Sequence, residues 1–230
     1  MTARPQRLRV LNWNAHGLRD DVDALTRVVA DARAHVVCLQ EAPRHFRWRA
    51  RSAALARRCG MVVLAGGGED AVGNLLLCSL AVTVRATRSL RLPLTPGEQP
   101  RAAALARCTL GGVPFTAVGV HLGLHPAERV RHVPVLLAEA TAGGDPVVLA
   151  GDLNERPGGP VWQDLGRSLR DAAGTDETPT FSCGAPDRRI DAIFADPALA
   201  VRHYAVLDSP SVRRASDHFP VYAELELPTG

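Results

Sequence analysis

Several residue types are scarce or missing in this 230-residue sequence, and each absence excludes a class of protein. Lysine is absent, so all 27 basic side chains are arginines. Aromatic residues make up only 4% of the chain, which is few for a surface that grips single strands by stacking. No apolar run approaches the ~18 residues of a membrane-spanning helix, and residues 1–10 lack the apolar core of a signal peptide. We therefore expect a cytoplasmic protein with no integral membrane segment.

Three chemical signatures are also missing. The five cysteines are odd in number and contain no C-x-x-C pair, which favours buried thiols over disulfides or a zinc site. There is no Gly-x-x-x-x-Gly-Lys-Ser/Thr loop, so nucleotide hydrolysis on a P-loop is excluded. There is no Gly-x-Ser-x-Gly elbow, which removes the usual serine hydrolases.

What remains is the composition of an ordinary globular chain, with 46% hydrophobic and 22% charged residues. The length predicts one domain spanning residues 1–230, and we expect it to be a monomer. The formal net charge of +3 permits nucleic acid as a partner but does not require it.

Local patterns predict an α/β protein with mixed sheets. Residues 7–14 and 35–40 are strand-like and flank a segment with helical apolar spacing, which indicates a β-α-β unit. Residues 102–110 and 113–121 flank Gly111-Gly112, a strong hairpin signal. Because β-α-β units alternate with hairpins, the sheets should contain both parallel and antiparallel pairs.

Two further segments carry specific predictions. Residues 74–84 form one apolar run and predict a single strand. Residues 126–142 predict a helix, but Pro134 inside it should kink or break that helix.

Apolar strands end repeatedly in residues that can bind a metal or move a proton. Since ligands gather at strand ends in open α/β sheets, these residues are expected to meet in one cleft. Each alone has a structural explanation, as a turn residue, a cap or a hydrogen-bonded core histidine. They are Asn14, Glu41, His121, Asp152 with Asn154, Asp191, and Asp217 with His218.

Together these residues have a chemical meaning. Carboxylate and amide oxygens without thiolates suit a hard ion such as Mg²⁺ or Mn²⁺. Histidines and further acids beside such an ion suit the hydrolysis of a phosphate ester, in which a base orients water and donors hold developing charge.

At these residues the chain resembles the endonuclease/exonuclease/phosphatase superfamily, which has the fold of pancreatic deoxyribonuclease. Gly-Asp-x-Asn, then Arg-Ile-Asp, then Ser-Asp-His-x-Pro-Val, in this order, is highly specific. The resemblance implies a four-layer α/β sandwich, with two mixed β-sheets packed face to face and helices outside. It extends over nearly the whole chain, through LNWNAHGL (11–18), CLQEAP (38–43), GNLLLCS (73–79), VGVHLGL (118–124), LAGDLNERP (149–157), RRIDAIFAD (188–196) and SDHFPVYAEL (216–225).

The resemblance also implies a role for each matched residue. Glu41 would bind the divalent metal with support from Asn14, and Asp217 would lie at the metal. Asp152 would position or activate the attacking water, with Asn154 as its polar partner at the phosphate. One or two metals are both compatible with the family, so Asp152, Asn154 and His218 are also candidate ligands. His218, oriented by Asp191, would contact the scissile phosphate, and His121 would be a second phosphate-side histidine.

The leading hypothesis is therefore a Mg²⁺- or Mn²⁺-dependent phosphoesterase. Its substrate is open: arginines at positions 44, 47, 49, 51, 57 and 58 could track a nucleic-acid backbone, whereas the compact loops suit a lipid or small phosphate ester. A non-catalytic binding module on the same fold would be expected to have lost one or more of these acids or histidines. A purely structural α/β protein would require the strand-end motifs to be coincidental.

Overall fold

The computed structural model describes residues 6–228, and its strands form two mixed β-sheets of six strands each. The first sheet has the order β11-β12-β1-β2-β4-β3, in which only β1 and β2 are parallel neighbours. Its strands are β1 (Arg7–Asn14), β2 (Val36–Gln40), β3 (Val62–Gly66), β4 (Leu75–Cys78), β11 (Ala200–Val206) and β12 (Val221–Glu226).

The second sheet has the order β5-β6-β7-β8-β10-β9, and again a single central pair, β7 and β8, is parallel. The hairpin predicted at Gly111-Gly112 joins β6 to β7. The strands are β5 (Val82–Arg91), β6 (Ala102–Leu110), β7 (Val113–His121), β8 (Val147–Asp152), β9 (Arg170–Asp171) and β10 (Asp191–Ala195).

Five α-helices cover the outer faces of the two sheets. Helix α1 follows β1 and makes the predicted β-α-β unit, and the Asp21 side chain caps it by accepting from the backbone N–H of Ala24 at 2.9 Å. None of the helices in the described part of the chain is long and apolar enough to cross a membrane. The helices are α1 (Val22–Asp31), α2 (Trp48–Arg58), α3 (Pro126–Thr141), α4 (Pro160–Gly166) and α5 (Pro210–Ala215).

The core divides into three layers of apolar contacts, and this division gives the four-layer sandwich. In β1 the alternation of side chains sends Leu8 and Val10 into the layer between the sheets. Leu11 and Trp13 point to the opposite face, where α1, α2 and α5 pack. A third cluster lies between the second sheet and helices α3 and α4. The expected fold class, two mixed sheets with helices outside, is confirmed.

One local prediction was wrong, and a second, the kink or break at Pro134, is corrected in part. Residues 74–84 are not one strand: a turn in which Val82 N–H donates to the Ser79 carbonyl (3.1 Å) separates β4 from β5, which belong to different sheets. No glycine or proline marks this turn, so the continuous apolar run concealed it. Helix α3 does not break at Pro134. Pro134 is exposed, and so is Val130, whose carbonyl loses its helical partner, so that carbonyl lies on the solvent side. All five cysteines are buried and free, as expected.

Candidate active site

The candidate site lies where polar ends of the central strands of both sheets meet. The parallel pair β1 and β2 brings Asn14 next to Gln40, and Glu41 follows directly. In the second sheet, His121 and Asp191 are the register neighbours of Asp152 on either side. The carboxyl ends of parallel strands share one sheet edge, so each sheet contributes one half of the site.

Asp152 is the point at which the two halves touch. Asn14 Nδ2, from the first sheet, donates to Asp152 Oδ2 at 3.1 Å. His121 Nε2 lies 3.4 Å from the same oxygen, and His218 Nε2 lies 3.8 Å from it. The other oxygen, Oδ1, accepts the backbone N–H of Asn154 at 2.9 Å. With 2% of its surface exposed, this carboxylate is fixed and directed at one point.

His218 and Asp191 form a buried hydrogen-bonded pair, with Nδ1 and Oδ2 2.9 Å apart. Burial alone would lower the pKa of His218, but attraction to Asp191, together with Asp152 and Asp217, outweighs burial and raises it to about 9. Burial raises the pKa of Asp191 to about 6. Between these values the pair is an imidazolium and a carboxylate, so His218 Nε2 carries a proton that an anion could accept.

Several contacts fix the position of the His218 ring. Trp13 Nε1 donates to the His218 carbonyl at 2.8 Å, and the His218 N–H donates to Ser216 Oγ at 3.1 Å. Ser216 Oγ in turn donates to the Asn14 carbonyl at 2.7 Å. The Phe181 ring packs against the imidazole with centroids 4.6 Å apart. His218 is therefore attached to both β1 and the second sheet before any substrate binds.

The second histidine of the site, His121, differs from His218 in its protonation state. Burial lowers the pKa of His121, and repulsion from Arg101 and His218 acts in the same direction, against attraction to Asp152 and Glu41. His121 is therefore neutral near pH 7. One neutral and one protonated imidazole thus face the same Asp152 oxygen from different sides.

Four non-glycine residues that line the cleft, His16, Glu41, Val72 and Asn154, adopt left-handed backbone conformations that such residues rarely occupy. Glu41 has φ 54° and Asn154 has φ 51°. Such strain persists only where surrounding contacts maintain it, and it concentrates at functional sites. In Glu41 it directs the side chain into the cleft, where Oε1 is 3.4 Å from Asn14 Nδ2.

The donor set of the cleft fits a hard divalent cation. Glu41 and Asp152 both contact the amide nitrogen of Asn14, which brings two carboxylates close together. Asp217 also lines the cleft, and its buried Oδ1 has no hydrogen-bond partner among the described residues. An unpartnered buried carboxylate oxygen is costly unless a cation or water satisfies it. No described cysteine lines the cleft, so the available ligands are of the oxygen and imidazole type.

The geometry also bears on which residues could be ligands. Asn14 turns its amide oxygen to the His16 N–H (3.0 Å), so its amide nitrogen, not its oxygen, faces the acids. Asn154 Nδ2 donates to the Leu122 carbonyl at 2.9 Å. Among the described residues, one set of three potential ligands has its atoms within 4.8 Å of one another: Asp152, Asp191 and His218. That set includes Asp191, which the sequence placed only as the partner of His218.

All but one of the site residues predicted from the sequence line one cleft. An open cleft of about 660 Å³ is lined by Asn14, Glu41, His121, Asp152, Asn154, Asp217 and His218. Asp191 does not line it, because it lies fully buried behind His218. Of the arginine-rich segment, Arg44 and Arg51 line the cleft, whereas Arg58 pairs with Asp23 on α1.

Sequence analysis missed several residues of the site. Arg101 lines the cleft, although no motif marks it. Its position offered one signal: it precedes β6, which runs antiparallel to β7, so the start of β6 lies beside the end of β7 at His121. Thr180 was also missed; its Oγ1 accepts from the backbone N–H groups of Ile190 and Asp191 at 3.0 and 3.1 Å.

Comparison with solved structures gives close matches in fold at low sequence identity. An endonuclease/exonuclease/phosphatase family protein from Bacteroides thetaiotaomicron is 19% identical, with a TM-score of 0.82 over 98% of this chain and 100% of that one. A mannosyl-6-phosphatase from the same species is 17% identical, with a TM-score of 0.80 over 95% and 99%. D. rerio TDP2 complexed with a single-strand DNA product is 20% identical, with a TM-score of 0.75 over 96% and 99%. At these identities the likeness establishes the fold alone.

Among curated proteins none matches the chain significantly. The model of the Endonuclease/Exonuclease/phosphatase family matches residues 11–218, a span that begins in β1 and ends at His218. That span contains both halves of the cleft and every candidate site residue. The chain therefore belongs to the endonuclease/exonuclease/phosphatase family, whose members hydrolyse ester bonds.

Proposed function

We propose that this protein is a hydrolase of phosphate esters that depends on a divalent metal, Mg²⁺ or Mn²⁺. The observation that carries the proposal is the arrangement around Asp152, whose Oδ2 faces Asn14, His121 and His218 from two different sheets. A fixed carboxylate beside an imidazolium is an arrangement suited to moving a proton from water while holding an anion.

In this proposal Asp152 orients and deprotonates the attacking water. Its Oδ1 is held by the Asn154 N–H, which leaves Oδ2 directed into the cleft. His218 donates from Nε2 to a nonbridging phosphate oxygen, and Asp191 keeps the imidazole charged and oriented through Nδ1. His121 and Asn154 line the same cleft, with His121 Nε2 3.4 Å from Asp152 Oδ2.

Glu41 and Asp217 would hold the metal ion, with Asp152 adjacent. When bound, such an ion neutralises phosphate charge and stabilises the leaving oxygen. Asn14 would act by orienting the Glu41 and Asp152 carboxylates, since its amide nitrogen contacts both. This differs from a role as a direct ligand, because the amide oxygen is engaged by His16.

Both phosphomonoesters and nucleic-acid phosphodiesters are candidate substrates. One structural relative is a mannosyl-6-phosphatase, and another has been solved with a single-strand DNA product. Arg44 and Arg51 in the cleft favour a substrate with more negative charge than one phosphate. We propose that the protein acts as a monomer in the cytoplasm on such a phosphate ester, with nucleic acid as one possibility.

The test is a substrate panel with Mg²⁺, with Mn²⁺ and with EDTA. The panel contains bis(p-nitrophenyl) phosphate, plasmid DNA, a single-stranded oligonucleotide, inositol phosphates and sphingomyelin. We expect hydrolysis only with metal, and a loss of ~100- to 10,000-fold in kcat for Asp152→Ala and His218→Ala. The matched control is His203→Ala, which removes an exposed histidine of β11 and should retain activity. Hydrolysis that survives EDTA, or that survives both site variants, would refute the proposal.

A further inference from the structure

Four arginines line the candidate active-site cleft without a carboxylate partner. They are Arg19, Arg44, Arg51 and Arg101, and none of them lies within 4.0 Å of a carboxylate oxygen in the described part of the chain. By contrast, the buried arginines outside the cleft, Arg129 and Arg189, are paired with Glu155 and Asp171. An arginine that faces a cleft without a partner is available to an anionic ligand.

Arg44 and Arg101 are the two of these arginines that are partly buried near each other. The Nε atoms of both are buried without an acceptor among residues 6–228. Burial lowers the pKa of Arg101, and repulsion from Arg44 acts in the same direction. Attraction to Asp152, Glu128 and Glu41 acts against both and raises the pKa. Two neighbouring guanidinium groups with unused donors are costly in the free protein, and an anion bound between them removes both costs.

The loop that carries Arg44 is braced by backbone hydrogen bonds next to it. Ala42 N–H donates to the Gly73 carbonyl at 2.9 Å, and Gly68 N–H donates to the Pro43 carbonyl at 3.1 Å. The Trp48 ring at the start of α2 packs directly on Gly68, where a side chain would have no room. Because the backbone next to Arg44 is held before binding, less conformational entropy is lost when a ligand arrives than if the loop were free.

The arginines lie beside the catalytic residues and do not replace them. Arg101 is close enough to Asp152 and Glu41 to be attracted by both, and close enough to Arg44 to be repelled by it. Arg51, in the first turn of α2, and His45 line the same cleft. The arginines of the cleft therefore come from three segments: Arg44 from the loop after β2, Arg51 from the first turn of α2, and Arg101 from the residue before β6.

We propose that Arg44, Arg51 and Arg101 together bind a second phosphate group of the substrate. This inference rests on the proposed function, because the first phosphate is the one hydrolysed at Asp152 and His218. The shared chemistry is a phosphate ester with a neighbouring phosphate, either the next phosphate of an oligonucleotide or the second phosphate of a small bisphosphorylated molecule.

Phe46 offers a way to distinguish these two sources. Its side chain is 84% exposed and shares a shallow surface with Arg47, Ala50 and Arg51 at the edge of the arginine site. A flat exposed ring beside a phosphate site is suited to stacking with a base. Loss of Phe46 should therefore weaken binding of nucleotide substrates and leave sugar or inositol bisphosphates unaffected.

The kinetic test compares matched substrates that differ in one phosphate. The pairs are thymidine 5′-(p-nitrophenyl phosphate) with and without a 3′-phosphate, and inositol bisphosphate against inositol monophosphate. In the pair that represents the true ligand, we expect kcat/KM to be about tenfold or more higher for the substrate that carries the second phosphate. That ratio should fall toward one in Arg44→Ala and Arg51→Ala, and remain in Arg57→Ala, an exposed arginine of α2 outside the cleft. A Phe46→Ala variant that lowers kcat/KM for both thymidine substrates and leaves kcat/KM for the inositol phosphates unchanged identifies the oligonucleotide source.

A binding test keeps the inference separate from catalysis. Inorganic pyrophosphate and inorganic phosphate are titrated calorimetrically into the metal-free protein in EDTA. We expect pyrophosphate to bind about tenfold or more tightly than phosphate, and this preference to disappear in the double variant Arg44→Ala/Arg51→Ala. Thermal unfolding of the variants confirms that they are folded.

The outcomes separate the two claims. If esters are hydrolysed through His218 but the second phosphate gives no advantage, or the double variant keeps the advantage, the phosphate site is refuted and the hydrolase remains. If no ester is hydrolysed but pyrophosphate is preferred and the double variant loses this preference, the phosphate site stands and the proposed reaction falls.

Discussion

Replacing Asp191 by Asn should change the charge of His218 at neutral pH, and this change can be measured directly. The His218 Nδ1 and Asp191 Oδ2 atoms are 2.9 Å apart, with the two residues 5% and 0% exposed. The carboxylates around His218 hold its pKa at about 9 against burial, and Asp191 contributes most to this. Asn keeps a hydrogen-bond acceptor for Nδ1 but removes the charge, so burial should then dominate.

The expected change in the pKa of His218 follows from the contributions that remain when the Asp191 charge is removed. Without the Asp191 charge we expect the pKa of His218 to fall from about 9 to at or below its ordinary value of about 6.5. A fall of this size corresponds to about 3 kcal/mol of lost preference for the imidazolium. If catalysis requires the charged form, kcat/KM of the variant should drop about 25-fold between pH 6 and pH 8, while that of the wild type stays nearly level.

Two measurements check this prediction. NMR titration of histidine-labelled, metal-free protein follows the His218 ring directly, and the pH profile of kcat/KM with Mg²⁺ follows its consequence. Asp31→Asn, at the exposed end of α1, is the matched control for an Asp-to-Asn change. A His218 that still titrates above pH 8 in Asp191→Asn would show that this carboxylate does not hold the proton. A wild-type His218 that titrates near 6.5 would refute the whole electrostatic argument.

Three further predictions concern the metal, pH and the core. Glu41→Gln should weaken Mn²⁺ binding by about tenfold or more in calorimetry, because a negative ligand is lost; unchanged affinity would remove Glu41 from the metal site. Burial, then Arg9, lower the pKa of His35 to about 4. The unfolded chain therefore accepts a proton there first, and the stability that His35 contributes is complete above pH 6.5 and lost as pH falls toward 4. His35→Gln should flatten this dependence of the urea midpoint, and an identical slope in both proteins would contradict it. Leu76→Ala, between the sheets, should lower the free energy of unfolding by about 2–5 kcal/mol, against under about 0.5 kcal/mol for the 86% exposed Leu80→Ala; comparable losses would mean that Leu76 is not a core residue.

The sequence predicted the elements that bear the site because local rules determine them. The apolar strand followed by a polar end is visible in residues 147–154, and the structure has β8 ending at Asp152. The Gly111-Gly112 hairpin and the β1-α1-β2 unit are also local patterns. The same local logic failed at residues 79–81, where the turn has no glycine or proline and only the packing of two sheets separates β4 from β5.

What the sequence could not supply is the pairing between distant segments. Nothing in residues 11–18 indicates that Asn14 contacts Asp152 across the two sheets, because that contact depends on how the sheets dock. Arg101 was missed for a related reason, since its place in the cleft follows from the antiparallel register of β6 and β7. The positions of Thr180 and Phe181 behind Asp191 and His218 likewise depend on tertiary contacts.

The contact between Asn14 and Asp152 makes the chemistry a property of the assembled sandwich and of neither sheet by itself. A partly folded chain with one sheet formed would hold the carboxylate without its amide, or the amide without its carboxylate. If the proposed hydrolysis takes place at this site, turnover during refolding should appear only once both sheets have docked, and chains with one sheet formed should hydrolyse no ester.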